Sequence, residues 1–306
     1  MKKSKKIIFI VGPTAVGKSA VALALAEKIN GEIISCDSMQ VYKEVTIASN
    51  KPSLEELQKI PQHLIDIVSV TRDFDVVHFQ QKALAAIKAI HARGKIPIVV
   101  GGSGMYLAVL LDGIFKDGRK DSTLRKTLEI QAGQEGNEAV YEMLLKADPE
   151  AARKIHANDA RRIIRALEVF LSRSQPISVL QKNRQGLWGK FDIKIFALNR
   201  SRDELYELIN QRVEKMFHSG LVEEIRRLLG MKLSRSAEQI IGIKEVKGFL
   251  NGQYDLERAK YLLKLHTRHY AKRQLTWFRK DKRLQWMMIQ PMETTAQTVE
   301  RILTSF

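Results

Sequence analysis

Apolar residues in the first hundred positions fall in short continuous runs separated by longer stretches of helical spacing. KIIFIV at 6–11 and IPIVV at 96–100 show no alternation with polar residues. That is the pattern of strands buried on both faces of a parallel sheet. Between them the spacing predicts a helix over 18–29, a short strand at 32–35 and another at 63–68. A helix over 77–93 follows, with Phe79, Ala83, Ile87 and Ile90 on one face and Gly94 as its stop. Strands alternating with helices predict an α/β fold, a parallel sheet core wrapped by helices. After residue 113 strand signals vanish and long helical patterns take over. One runs over 159–172 with Ile163, Leu167 and Phe170 facing inward. Strand character returns at 192–198, helices dominate 202–279, and 284–289 reads as a last strand. The division expected is a catalytic core formed by 1–112 and 191–306, with an all-helical domain inserted at 113–190.

Within this frame the segment Gly12-Pro13-Thr14-Ala15-Val16-Gly17-Lys18-Ser19 matches G-x(4)-G-K-[ST], and it lies between a predicted strand and a predicted helix. This context makes it a P-loop and the fold P-loop NTPase-like. Glycines let backbone N–H groups converge on phosphate oxygens, and the helix N-terminus adds its positive end. Lys18 supplies a charge and Ser19 a hydroxyl suited to Mg²⁺. A motor ATPase adds a strand ending in an acidic magnesium ligand. Here IPIVV ends in Gly101-Gly102-Ser103-Gly104, leaving Asp66 as a substitute carboxylate. Group transfer is therefore expected rather than ATP-driven work.

Asp37 follows the second strand, at the carboxyl end that faces the ligand crevice in such sheets. It reads as a general base or as a turn-capping aspartate. Gln40 is suited to a base edge, since glutamine pairs with adenine. Ser103 presents a hydroxyl toward the same crevice or belongs to a glycine-rich turn. Arg212 lies on the inward stripe of a helix whose apolar positions are 205, 208, 209, 213 and 216. A cation there needs a partner, either a structural carboxylate or a ligand phosphate.

Charge narrows the choice. The 306 residues carry 51 Lys and Arg against 34 Asp and Glu, a formal net charge of +17. Nearly all of the surplus is clustered. Residues 151–190 hold nine basic side chains against Asp159 and Glu168, and residues 258–283 hold ten against Asp281. Clustering of this kind fits a phosphate backbone. The one cysteine, Cys36, excludes an intramolecular disulfide or a multi-cysteine zinc site. No apolar run is long enough for a signal peptide or a membrane span, so a cytoplasmic monomer is expected.

Taken together the motifs resemble the bacterial tRNA dimethylallyltransferases (isopentenyl-tRNA or IPP transferase family) over nearly the whole chain. The blocks are GPTAVGKS at 12–19, DSMQVYK at 37–43, KPS at 51–53, HLIDI at 63–67 and VVGGSGMYL at 99–107. They continue with IHANDARRIIRALEVF at 155–170, GLVEEIRRLL at 220–229, IIGIKE at 240–245 and YAKRQLTWFRK at 270–280. The resemblance implies that the P-loop, with Arg212, grips dimethylallyl diphosphate rather than ATP, with Mg²⁺ at Ser19. It implies that Asp37 takes a proton from the exocyclic N6 amine of the adenosine beside the anticodon, and that Ser103 positions that amine. It further implies tRNA contacts at Asp37, Ser38, Met39, Gln40 and Ser103, at Arg125, and at Arg161, Arg162, Ile163, Ile164 and Arg165. Gln239, Ile240, Ile241, Gly242, Ile243 and Lys244 complete that set, and the helical insertion grips the anticodon stem-loop.

Three departures stand out. Ser103 replaces the usual threonine, Ile243 replaces a tyrosine, and Ile47-Ala48-Ser49-Asn50-Lys51-Pro52 differs from the usual I-G-T-A-K-P. Each keeps the catalytic groups. Rival readings are a small-molecule P-loop kinase, an RNA-binding protein with a vestigial loop, and a prenyltransferase acting on free adenine nucleotides.

Overall fold

The computed structural model describes residues 5–115 and 122–305. Six strands form one fully parallel sheet: β1 (Lys6–Val11), β2 (Gly31–Ser35), β3 (Gln62–His63), β4 (Ile96–Gly101), β5 (Asp192–Asn199) and β6 (Gln285–Met288). Their order is β3-β2-β4-β1-β5-β6, so β1 sits between β4 and β5. Its residues Ile7, Ile8, Phe9 and Ile10 are fully buried, which is why the run is apolar at every position.

Helices α1 (Lys18–Ile29), α2 (Leu54–Lys59), α3 (Val76–Ala92) and α4 (Gly104–Asp112) connect the first four strands and leave the fourth. Helix α1 buries Val21, Ala22, Leu25 and Ala26, and it stops where Asn30 turns left-handed at φ 52°. Helix α3 buries Phe79, Ala83, Ile87 and Ile90 and starts where Asp75 accepts the N–H groups of Val77 and His78. The strand expected over 63–68 is shorter. Pairing stops at His63 because Leu64 and Asp66 adopt φ of 66° and 57°, which breaks the ladder; only an isolated bridge joins Val68 to Tyr42.

The chain divides into two compact units, one made of residues 1–110 and 188–306, the other of 111–187. The second holds α5 (Ser122–Glu135), α6 (Asn137–Ala147), α7 (Pro149–Ala152), α8 (Ala160–Arg173) and α9 (Ile177–Lys182). Its core gathers Leu128, Val140, Leu144, Ile163, Ile164 and Leu167. Buried Asp148 accepts from the Ala151 and Ser178 N–H groups and from the Ser178 hydroxyl, which joins α7 to α9. Phe170, expected inward, is only half-buried on α8.

The first unit is completed by α10 (Arg202–His218), α11 (Leu221–Leu229), α12 (Ile243–Leu250), α13 (Leu256–Phe278) and α14 (Thr295–Leu303). Helices α10 and α13 place their inward stripes over the carboxyl end of β1, and that placement builds the site.

Candidate active site

The P-loop turns sharply out of β1. Gly12 has φ 146°, and a Cβ there would lie 2.4 Å from the Leu198 carbonyl oxygen on β5, so no other residue fits. Gly17 has φ 102° and precedes α1 without any side-chain cap, which leaves the first N–H groups of that helix available to an anion. Thr14, Ala15, Gly17, Lys18 and Ser19 line a cavity of about 940 Å³ with Asp37, Arg212, Tyr270 and Gln274. Val16, by contrast, is buried in the apolar core.

Lys18 Nζ donates to the Pro13 carbonyl at 2.7 Å. Burial pulls its ammonium down to about 8, with Arg212 adding to the fall and Asp37 opposing it. Arg212 Nη1 donates to Thr14 Oγ1 at 2.9 Å. Among the described residues no carboxylate pairs with it directly, and burial lowers its basicity while Asp37 offsets part of that. The structural salt bridge considered for Arg212 is thus absent among the described residues. Two desolvated cations face Asp37, while the cavity's other carboxylates are engaged elsewhere, Glu56 by the Ser53 N–H and Glu214 by Lys260 and Lys264, an arrangement short of negative charge.

Asp37 Oδ1 accepts the Met39 N–H at 2.8 Å, which fixes the carboxylate against the turn after β2. Cys36, the residue before it, accepts the Ser103 N–H at 3.4 Å. Gly101 permits this approach, since a Cβ there would lie 2.0 Å from the Cys36 carbonyl oxygen. The ends of β2 and β4 therefore hold Asp37 and Ser103 close along the backbone. Ser103 Oγ accepts the Tyr106 N–H at 3.5 Å, at the start of α4. Burial pushes the Cys36 thiol and the Tyr270 phenol up, so both are neutral near pH 7. Tyr270 can donate a hydrogen bond but is no base.

A second cavity of about 300 Å³ adjoins the first through Thr14, Asp37, Arg212 and Tyr270, and it is also lined by Ser38, Met39, Gln239, Ile240, Ile241 and Arg273. Asp37 stands where the two meet.

Several expectations change at the level of side chains. Gln40 does not offer a free base-reading edge: its oxygen accepts from Ser35 Oγ at 2.7 Å and its nitrogen donates to the carbonyls of Ser49 and Asn50. Asp66 is no substitute magnesium ligand, because it pairs with Lys51, whose ammonium also donates to the Tyr42 and Lys43 carbonyls. Ile163 and Ile164 point into the helical core, so Arg161 and Arg162 are what that segment exposes, and Ile240 and Ile243 are likewise buried. Lys244 and Gln239 are exposed, and the Gly242 N–H donates to Glu245 Oε2 at 2.8 Å. Within the helical unit Arg165 and Arg125 flank buried Glu168 at 3.0 and 3.9 Å.

Three residues were assigned no role from the sequence. Gln274 and Tyr270 sit on the inward stripe of α13, where buried Ala271 and Phe278 mark the apolar positions. A polar side chain on such a stripe is the same signal that singled out Arg212. Glu224 is the third. Buried on α11, it accepts the N–H groups of Thr46, Ile47 and Ala48 at 2.8–2.9 Å, shaping a loop on the cavity wall.

A fully parallel sheet, a P-loop, two half-buried cations and a carboxylate at the crevice define a P-loop-fold enzyme that handles a phosphorylated substrate. The IPP transferase family model matches residues 40–281, and this chain belongs to the IPP transferase family. The tRNA dimethylallyltransferase of Carboxydothermus hydrogenoformans is 46% identical over 98% of this chain and 97% of its own length. That of Geobacillus thermodenitrificans is 42% identical over 98% and 95%. Among solved structures, the tRNA isopentenylpyrophosphate transferase of Bacillus halodurans aligns with TM-score 0.73 at 37% identity over 99% of this chain and 95% of that one. A eukaryotic dimethylallyltransferase acting on tRNA aligns with TM-score 0.84 at 31% identity over 99% and 80%. No helix among the described residues is long and apolar enough to cross a membrane.

Proposed function

We propose that this protein transfers a dimethylallyl group from dimethylallyl diphosphate to the N6 amine of the adenosine next to the anticodon in tRNA, releasing diphosphate. The observation that carries this reading is the placement of Lys18 and Arg212 together at the P-loop, two desolvated cations facing Asp37. A diphosphate supplies the missing negative charge.

The larger cavity takes the allylic diphosphate, its phosphates against Lys18, Arg212 and the N-terminus of α1. The smaller cavity takes the adenine, flipped from an unpaired loop where extrusion costs least. N6 attacks the allylic carbon as its bond to the diphosphate oxygen breaks. The N6 proton passes to Asp37, and the electron pair leaves with the diphosphate, whose charge Lys18 and Arg212 meet. Ser103, held beside Cys36, orients the amine.

Mg²⁺ fits this site. Ser19 offers a hard oxygen at the cavity wall, and among the described residues no cluster of three or more His, Cys, Asp or Glu side chains forms a metal cage. Such a sparse donor set suits an ion that keeps water and substrate phosphate oxygens as ligands. When bound, the ion supplies further neutralisation of the diphosphate.

The helical unit grips the anticodon stem-loop through Arg161, Arg162, Arg165 and Arg125, with Gln239 contacting RNA at the smaller cavity and exposed Lys244 contacting it nearby in sequence. A cytoplasmic location is the reading that a tRNA substrate supports. The kinase reading is disfavoured because β4 ends without a carboxylate and Asp66 is committed to Lys51. Mass spectrometry of tRNA nucleosides after incubation with protein, Mg²⁺ and dimethylallyl diphosphate should show adenosine heavier by one prenyl unit. Transfer of γ-phosphate from ATP to a small acceptor, with no prenylated nucleoside, would overturn the reading.

A further inference from the structure

The two halves of the proposed chemistry sit on different loops. The leaving group belongs to the P-loop after β1, and the attacking amine to the turns after β2 and β4. One buried side chain touches both sides. Gln274 on α13 accepts the Thr14 N–H with Oε1 at 2.9 Å and donates Nε2 to the Gly102 carbonyl at 3.0 Å. It is 6% exposed. Gly102 lacks a side chain for this reason, since a Cβ there would lie 2.1 Å from Gln274 Nε2. The amide is also polarised the right way round, with its oxygen toward a donor and its nitrogen toward an acceptor. Tyr270, one helical turn earlier, lines both cavities.

We infer that Gln274 is a positioning residue for prenyl transfer, a strut that sets the spacing between the diphosphate loop and the β4 turn carrying Ser103. Displacement at carbon requires nucleophile, carbon and leaving oxygen in line at near-contact distance, and an error of 1 Å can cost on the order of 100-fold in rate. Thr14 also receives Arg212, so the strut fixes the residue on which the leaving-group cation rests. Neither contact of Gln274 is to substrate. Its effect falls on the rate of the bound complex rather than on binding.

The inference rests on the functional reading above, and the experiment separates the two. Wild type, Gln274→Leu and Gln274→Met are compared for single-turnover prenyl transfer to an anticodon stem-loop RNA. Dissociation constants for inorganic diphosphate and for the RNA are measured in parallel. Both substitutions remove the two hydrogen bonds with little change of volume and add no charge to the cavity, and the unbranched methionine follows the path of the glutamine chain. The expected result is a fall in the single-turnover rate of at least about 30-fold in both, with both dissociation constants within about threefold of wild type. If Gln274→Leu melts below the assay temperature, Gln274→Met alone decides. A rate within threefold of wild type, or a loss explained by weaker binding and recovered at saturation, overturns the strut. Absence of prenylated RNA with wild type overturns the functional reading instead.

Discussion

Arg212 and Thr14 stand 198 residues apart in sequence and are joined by a 2.9 Å hydrogen bond from guanidinium to hydroxyl. Helix α10 thus delivers the Arg212 guanidinium directly onto the P-loop. Arg212→Lys keeps the charge but not the planar fork that reaches both hydroxyl and phosphate. It should lower kcat/KM for dimethylallyl diphosphate by about 10- to 100-fold, or about 1.4 to 2.8 kcal/mol of transition-state stabilisation. The dissociation constant for RNA should not move. Steady-state kinetics with each substrate varied in turn check this.

Asp37→Asn should separate binding from chemistry. The asparagine oxygen can still accept the Met39 N–H, so the turn after β2 persists. As the general base is lost, kcat should fall by about 10²- to 10⁴-fold. Inorganic diphosphate should bind at least as tightly, because a negative charge beside Lys18 and Arg212 is gone. Unchanged turnover would remove Asp37 as the base.

Lys18 predicts a pH dependence. Its ammonium loses its proton near about 8 in the free protein, against 10.5 in an unfolded chain. Only the charged form attracts a diphosphate, so KM for dimethylallyl diphosphate should rise as pH climbs past about 8. Lys18→Arg, charged throughout, should abolish that inflection even if it is slower.

The same group predicts a stability effect of opposite sense. Because the folded-state value is depressed, the unfolded chain binds more protons between about 8 and 10.5, and stability rises with pH across that window. At pH 7 the buried charge costs up to about 3 kcal/mol. Lys18→Met should therefore unfold at higher urea than wild type at pH 7, and the gap should narrow at pH 10. Urea melts at the two pH values test it.

Glu224 predicts a local effect. Glu224→Ala leaves three backbone donors without their carboxylate and should cost about 3 kcal/mol. Hydrogen exchange should accelerate at Thr46, Ile47 and Ala48 before it does in β1.

How much of this was legible in the sequence depends on how local each feature is. Strand β1 and the loop after it are written in fourteen consecutive residues, so both fold class and anion site could be read there. Arg212 was legible as a polar intruder on an apolar stripe. Gln274 and Glu224 carry the same mark, at helical spacing with Ala271 and Phe278 and with Leu221, Ile225 and Leu228. What hid their roles is that their partners lie 260 and about 177 residues away. The short β3 was illegible for another reason. Left-handed Leu64 is disfavoured locally, and only the surrounding packing, with Leu64 6% exposed, holds it there. Gln40 misled because a residue type suited to adenine is equally suited to tying down its own loop.

The placement of β1 between β4 and β5 also sets a timetable. The strand that carries the P-loop leaves the ribosome well ahead of its neighbour β5, which begins at Asp192. At about 5–20 residues per second that partner arrives on the order of tens of seconds later. Meanwhile one edge of a strand apolar from Ile7 to Val11 stands open beside a nascent chain whose helical unit can already condense around its own core. The strand at the heart of the enzyme is thus the one most in need of a chaperone's cover during synthesis.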